Sequence, residues 1–147
     1  MITCRIESLS YNELRAYMDY QANDSFPNLK DQSILNQFSK KLFDNAHFCI
    51  CRDGETPIGM IAFYANGRGS DSAYIPHVYV SPEYRRQGLL SKMMHIVEEF
   101  SKEQGFSSIR LEVDFQNLSA QNAYARYGFQ TEKKASPHSC YMIKTIM

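Results

Sequence analysis

The sequence predicts an α+β fold, a mixed sheet flanked by helices, and three observations carry that prediction. First, Val78-Tyr79-Val80 is a β-branched and aromatic run that Ser81-Pro82 ends. It turns through a basic, glycine-containing loop into a helix with Leu90, Met93, Met94, Val97 and Phe100 on one face. Second, Asp53-Gly54 separates two strand-like runs and is a strong hairpin signal. Third, Ile109, Leu111 and Val113 alternate with Arg110, Glu112 and Asp114, so the strand Ser108–Asp114 has one apolar and one polar face.

The remaining elements follow in order. A short strand over Cys4–Glu7 leads to Ser10, which with Glu13 forms a capping-box pattern, and Leu9 and Leu14 stand where a hydrophobic staple would sit. A first helix is expected from Tyr11 to Gln21. Pro27 interrupts, and a second helix from Gln32 to Phe43 would pack through Ile34, Leu35, Phe38 and Leu42. The hairpin strands are Ala46–Arg52 and Thr56–Tyr64, and Asn66-Gly67-Arg68-Gly69-Ser70 reads as a flexible loop before the strand ending at Val80. The long helix spans Leu89–Gln104 and Gly105 closes it. Asn117 caps a short helix whose Ala120, Ala123, Tyr124 and Tyr127 share a face. Strands near Phe129–Glu132 and Cys140–Ile146 complete the sheet.

A chain of 147 residues without repeats or linkers is read as one domain, 1–147. No apolar run approaches the ~18 residues of a membrane span. Met1–Tyr11 carries Arg5 and Glu7 and has no signal-peptide apolar region, so a cytoplasmic location is expected. Sixteen basic and sixteen acidic side chains cancel, leaving no global field for nucleic acid or an anionic membrane and favouring a small neutral or cationic substrate. Of the four cysteines, Cys49 and Cys51 point to one strand face and bridge poorly to each other. Their spacing is neither a redox nor a zinc pattern, so Cys4, Cys49, Cys51 and Cys140 are all expected as reduced, partly buried thiols.

The strand–loop–helix unit is an anion site. The first turn of the helix has backbone N–H groups without intrahelical partners, the macrodipole favours negative charge there, and Arg85 and Arg86 add two formal charges. Gly88 lets a ligand approach the backbone.

Arg85 and Gly88 fit the loop signature Q/R-x-x-G-x-G/A of the GNAT acetyltransferases, with Leu90 departing at its last position. Asn117, Ala120, Tyr124, Gly128 and Phe129 fall at the spacing N-x-x-A-x-x-x-Y-x-x-x-G-F of the same family, and Tyr141-Met142-Ile143-Lys144 looks like its closing strand. The chain therefore resembles a GNAT N-acetyltransferase over nearly its whole length. That resemblance implies a three-layer fold, with a mostly antiparallel mixed sheet of about six to seven strands and about four helices.

It also implies acetyl-CoA as cosubstrate and no metal. The pyrophosphate would rest on Arg85, Arg86, Gln87, Gly88, Leu89, Leu90 and Ser91, and the pantetheine arm would run along Val78, Tyr79 and Val80, where a bulge splays the strand. Asn117 would support that arm, and Leu90 would turn toward the core beside Met94. Tyr124 stands at the position of the general acid; with an ordinary pKa of about 10 it is protonated at neutral pH.

For the general base, Tyr74 and Pro76 occupy the family's commonest acidic positions, so His77 is the first candidate, with Glu112 or a water relay as alternatives. Strand alternation places Tyr74, Pro76 and Val78 on one face and Ala73, Ile75 and His77 on the other, unless a bulge rotates His77. His138 lies in a loop that often lines the acceptor site, Tyr127 reads as core, and His47 and His95 read as surface. Tyr17, Tyr20, Phe26, Asp19 and Asp24 could form an aromatic, acidic pocket for a small-molecule primary amine. Acetylation of protein N-termini or lysines, and a non-catalytic acyl-CoA-binding module, are the rival readings, and a homodimer is compatible with each.

Overall fold

A computed structural model describes residues 1–66 and 72–147; the loop expected over Asn66–Ser70 lies, beyond Asn66, outside the described residues. Its seven strands are β1 (Ile2–Glu7), β2 (His47–Asp53), β3 (Thr56–Tyr64), β4 (Ser72–Val80), β5 (Ser108–Asp114), β6 (Gln130–Ser136) and β7 (Ser139–Thr145). They form one sheet in the order β1-β2-β3-β4-β5-β7-β6, antiparallel at every junction except the parallel β4–β5 pair. The helices are α1 (Tyr11–Ser25), α2 (Gln32–Asn45), α3 (Leu89–Glu103) and α4 (Leu118–Arg126). The expected mixed sheet flanked by four helices is thus present.

Local chemistry explains the helix ends. The capping box is complete, with Glu13 N–H donating to Ser10 Oγ at 3.1 Å and Ser10 N–H to Glu13 Oε1 at 3.0 Å. α1 runs on past Gln21 to Ser25, and within this last turn Asn23 donates its side-chain amide to the Asp19 carbonyl at 3.2 Å. It stops at Phe26, the residue that Pro27 forces out of helical geometry.

Two apolar layers sandwich the sheet. Met93, Met94 and Val97 of α3 pack on Ile61, Phe63, Ile109 and Leu111, while Leu14, Met18, Leu35 and Leu42 of α1 and α2 pack on Ile50 and Met60 from the other side. Each such fully buried side chain contributes about 1.5–3 kcal/mol.

Strand β4 does not alternate as expected. Ala62 pairs with His77 and Tyr64 with Tyr74, so Ile75 and Pro76 together oppose Phe63, a bulge at a residue with no N–H to give. The extra residue exchanges the strand's faces. Ala73 and Ile75 belong to the α3 layer, but His77 and Tyr79 turn toward α1 and α2, and Val78 and Val80 take the α3 side. Parallel pairing with β5 ends at Ile75–Leu111, so residues 76–80 have no strand partner on that edge. The splaying expected at Val78–Val80 is found, with its bulge just upstream.

The cysteine expectation needs correction. Antiparallel pairing of β1 and β2 sets Cys4 directly opposite Cys51, and the two are joined in a disulfide, while Cys49 and Cys140 are free and buried. The bridging partner is 47 residues away and arrives only through strand pairing, which is why spacing carried no sign of it. Among the described residues no helix is long and apolar enough to cross a membrane.

Candidate active site

A groove of about 600 Å³ runs from the start of α3 along the free edge of β4 to α4. At the end where α3 begins, the backbone is shaped for an anion. Arg86 and Gly88 have φ of 64° and 81°, so two left-handed residues lead into the helix. No side chain caps α3, whereas Ser10, Asp31 and Asn117 cap α1, α2 and α4. The first intrahelical bond is Lys92 N–H to Gly88 O at 3.1 Å, which leaves the amides of Leu89, Leu90 and Ser91 at the groove end of the dipole.

Arg85 is positioned by three contacts. Its Nε donates to the Val80 carbonyl at 2.8 Å, and its Nη2 lies 3.0 Å from Ser25 Oγ and 3.3 Å from Asp24 Oδ2. Gln87 sits outside the lining and braces the loop, donating to the Glu83 carbonyl at 3.0 Å. Val78, Tyr79 and Val80 form one wall of the groove, and Asn117, Ala120 and Tyr124 the other.

Asn117 Oδ1 accepts from Ala120 N–H at 3.1 Å, so it is an N-cap that also faces the groove. Tyr124 packs edge-on against Phe129 with ring centroids 5.8 Å apart, and burial pushes its phenol up to about 12. Among the described residues its hydroxyl makes no hydrogen bond. The arrangement offers donors for a polyanion at one end, unpaired strand backbone in the middle and a protonated phenol at the other.

The sequence profile of the acetyltransferase (GNAT) family matches residues 11–129. The chain belongs to the GNAT acetyltransferase family. It is 35% identical over 72 residues to the aminoglycoside N(6')-acetyltransferase type 1 of Serratia marcescens, covering 48% of this chain and 49% of that protein. To the thialysine N-epsilon-acetyltransferase of Bos taurus it is 35% identical over 78 residues, covering 53% and 45%. The chain spans about half the length of the curated relatives it matches. It also superposes on the PaiA N-acetyltransferase from Thermoplasma acidophilum in complex with coenzyme A, with a TM-score of 0.72 at 18% identity over 97% of this chain and 99% of that one. That likeness shows the fold.

His77 of this GNAT protein lies away from the groove lining. Its ring sits 4.8 Å from Phe26 and 5.6 Å from Phe38, its Nε2 is 2.6 Å from Gln21 Oε1, and burial lowers it to about 4. Glu112 is exposed on the other surface of the splayed sheet, opposite Tyr141 in register, and accepts from Ser139 Oγ at 2.6 Å. His138 is exposed beside it in the β6–β7 turn. The pocket expected from the first helix divides: Tyr17 and Tyr20 line a separate cavity, Phe26 lines the groove, Asp24 pairs with Arg85 at 3.3 Å, and Asp19 lies 3.7 Å from Arg15.

Several groove residues carried no sequence assignment. Tyr127, expected in the core, lines the groove; its hydroxyl donates to the Ser91 carbonyl at 3.2 Å and its ring lies 4.1 Å beneath Lys144 Nζ. Its i+3 spacing from Tyr124 was the available signal. Ser25 and Arg126 also line the groove, as does Phe26, which the sequence assigned to the acceptor pocket. Ser25 arrives through the packing of α1 and has no local signature. His47, expected at the surface, is half-buried against Phe63 and Phe100 with its Nε2 2.9 Å from Asn66, while His95 is exposed as expected.

Proposed function

We propose that residues 1–147 act as one domain that transfers an acetyl group from acetyl-CoA to the primary amine of a small molecule by direct attack, with Tyr124 as the acid. One observation carries this reading: a single groove joins the uncapped start of α3 to Tyr124 past the unpaired edge of β4. Three free amides with Arg85, Arg86 and Arg126 suit a pyrophosphate, and the backbone of residues 76–79, which has no strand partner on the groove edge, suits an amide-bearing arm. Bound acetyl-CoA would supply the activated acetyl thioester.

The chain's own groups do the rest. Tyr124 stays protonated throughout the physiological range and donates a hydrogen bond where the thiolate charge develops. Complete proton transfer from a phenol near 12 to a thiolate whose acid lies at about 8.5 is uphill by several kcal/mol, so the hydrogen bond acts first. A newly formed cationic nitrogen nearby then lowers the phenol and assists the transfer.

Glu112, directly or through water, takes the proton of the incoming ammonium. The exposed carboxylate beside Tyr141 supports that role better than His77, whose ring is buried, neutral and engaged with Gln21. His77 instead holds α1 against β4. The names of the two curated relatives, which acetylate an aminoglycoside and thialysine, support a small amine as acceptor.

Thiol release from acetyl-CoA, measured across aminoglycosides, lysine analogues, polyamines and short peptides, tests the reading. Turnover of one or more small amines is expected. Preference for peptide N-termini with no small amine turned over favours the protein-modifying alternative, and coenzyme binding without amine-dependent release favours a non-catalytic module.

A further inference from the structure

Helix α4 makes one wall of the groove, yet none of its residues is fully buried, whereas α1, α2 and α3 each bury several side chains. A short helix with so little buried surface is a low-stability element, and its place depends on a few contacts. One of them is made at its C-cap, Tyr127, whose hydroxyl donates to the Ser91 carbonyl in the first turn of α3 at 3.2 Å. Ser91 and Tyr127 both line the groove, so this bond ties one side of it to the other.

Behind Tyr127 stands an ion pair that the transfer chemistry does not use. Lys144 Nζ lies 4.1 Å from the centroid of the Tyr127 ring and 2.5 Å from Glu98 Oε1, and Glu98 stands on α3 two turns after Ser91. Both charged side chains are largely buried. Lys144 springs from β7, which pairs with β5 on one edge and β6 on the other, so the ammonium has a fixed base. Its stem passes close to the backbone at Gly128, where a Cβ would stand 3.1 Å from Lys144 Cε, and glycine leaves that path open. Burial and the Glu98 carboxylate push the Tyr127 phenol up to about 12, which keeps its hydroxyl a donor. Lys144 itself is not among the residues that line the groove.

We propose that Lys144, held by Glu98, is a positioning residue for the coenzyme: it fixes the Tyr127 ring, and Tyr127 fixes α4 against the start of α3 at the separation that CoA requires. The inference rests on the reading of the groove as the CoA site. It gives the buried ion pair a role in binding although neither of its members lines the groove.

Calorimetric titration of the whole chain with free CoA tests it, with a melting temperature recorded for each variant. Lys144→Gln should weaken CoA about five- to tenfold, Lys144→Arg, which keeps the charge, should stay within about twofold of the parent, and Tyr127→Phe should cost about threefold. The deciding measurement is the cycle with Tyr127→Leu, which removes both ring and hydroxyl. In that background Lys144→Gln should change the affinity by less than about twofold. If Lys144→Gln melts below the assay temperature, the same cycle is run with Lys144→Met and Glu98→Leu combined, which removes both charges at similar volume. A loss of equal size in both backgrounds would make Lys144 a distant charge acting on an anionic ligand, and unchanged affinity would make the ion pair a stabilising contact alone. Either result overturns the inference. Failure of the parent protein to bind CoA is a different outcome, because it removes the reading of the groove and the inference with it.

Discussion

Asp24 of α1 holds Arg85 of the basic loop before α3, carboxylate to guanidinium at 3.3 Å, while also accepting from the Tyr79 hydroxyl at 2.9 Å. Ser25, Tyr79 and Arg85 together keep the Asp24 carboxyl below its ordinary range, so it is charged at neutral pH. A carboxylate therefore stands beside the basic loop. We expect Asp24→Asn to bind CoA about two- to fivefold tighter at low salt, because a like charge is removed and Arg85 is released to the ligand. Calorimetry at two ionic strengths checks this; weaker binding would mean that Asp24 serves chiefly to aim Arg85.

Tyr124→Phe should keep the fold and CoA affinity, since the hydroxyl supports no hydrogen bond among the described residues and the ring keeps its contact with Phe129. Turnover should fall by a factor within ~10²–10⁴, the range of a positioned acid–base group. Steady-state kinetics with CoA titration separates the two quantities, and full turnover would reduce Tyr124 to packing.

Gly88→Asp should eliminate CoA binding without unfolding the protein. Nothing lies within 4 Å of a Cβ at this position, so the obstacle is the backbone, with φ at 81°, and the charge. An aspartate tolerates left-handed geometry better than most residues, and its carboxylate can cap the free amides of α3, filling the place of the phosphate. Calorimetry should therefore show no binding while the melting temperature stays within about 8 °C of the parent's.

His77 makes stability depend on pH. Burial lowers the folded ring to about 4, against about 6.5 in the unfolded chain, so the unfolded state takes up a proton that the folded state refuses. This contribution is fully present above pH 6.5 and is lost as pH falls toward 4, by roughly 3 kcal/mol in all. Urea midpoints from pH 7 to 4.5 should show the fall, and His77→Gln should flatten the part of it between pH 6.5 and 5. An equal slope in the variant would assign the loss to carboxylates.

What the sequence determined by itself is the local chemistry. The capping box at Ser10 and Glu13, the glycine turn into α3, the Asn117 cap and the face shared by Tyr124 and Tyr127 all depend on residues within a few positions of one another. Backbone geometry and the spacing of neighbours decide them before any tertiary contact forms, so the two walls of the groove were legible in the residue pattern.

The tertiary structure decided whatever depends on register between distant segments. The bulge at Ile75 and Pro76 turned His77 away from the groove and toward Gln21, 56 residues off, and a single inserted residue was enough because strand faces alternate with a period of two. Pairing of β1 with β2 joined Cys4 to Cys51, and the packing of α1 brought Asp24 to Arg85 across 61 residues. None of these contacts has a signature at either end, because each arises where two surfaces meet and their register is set by the burial of the whole sheet between its helical layers.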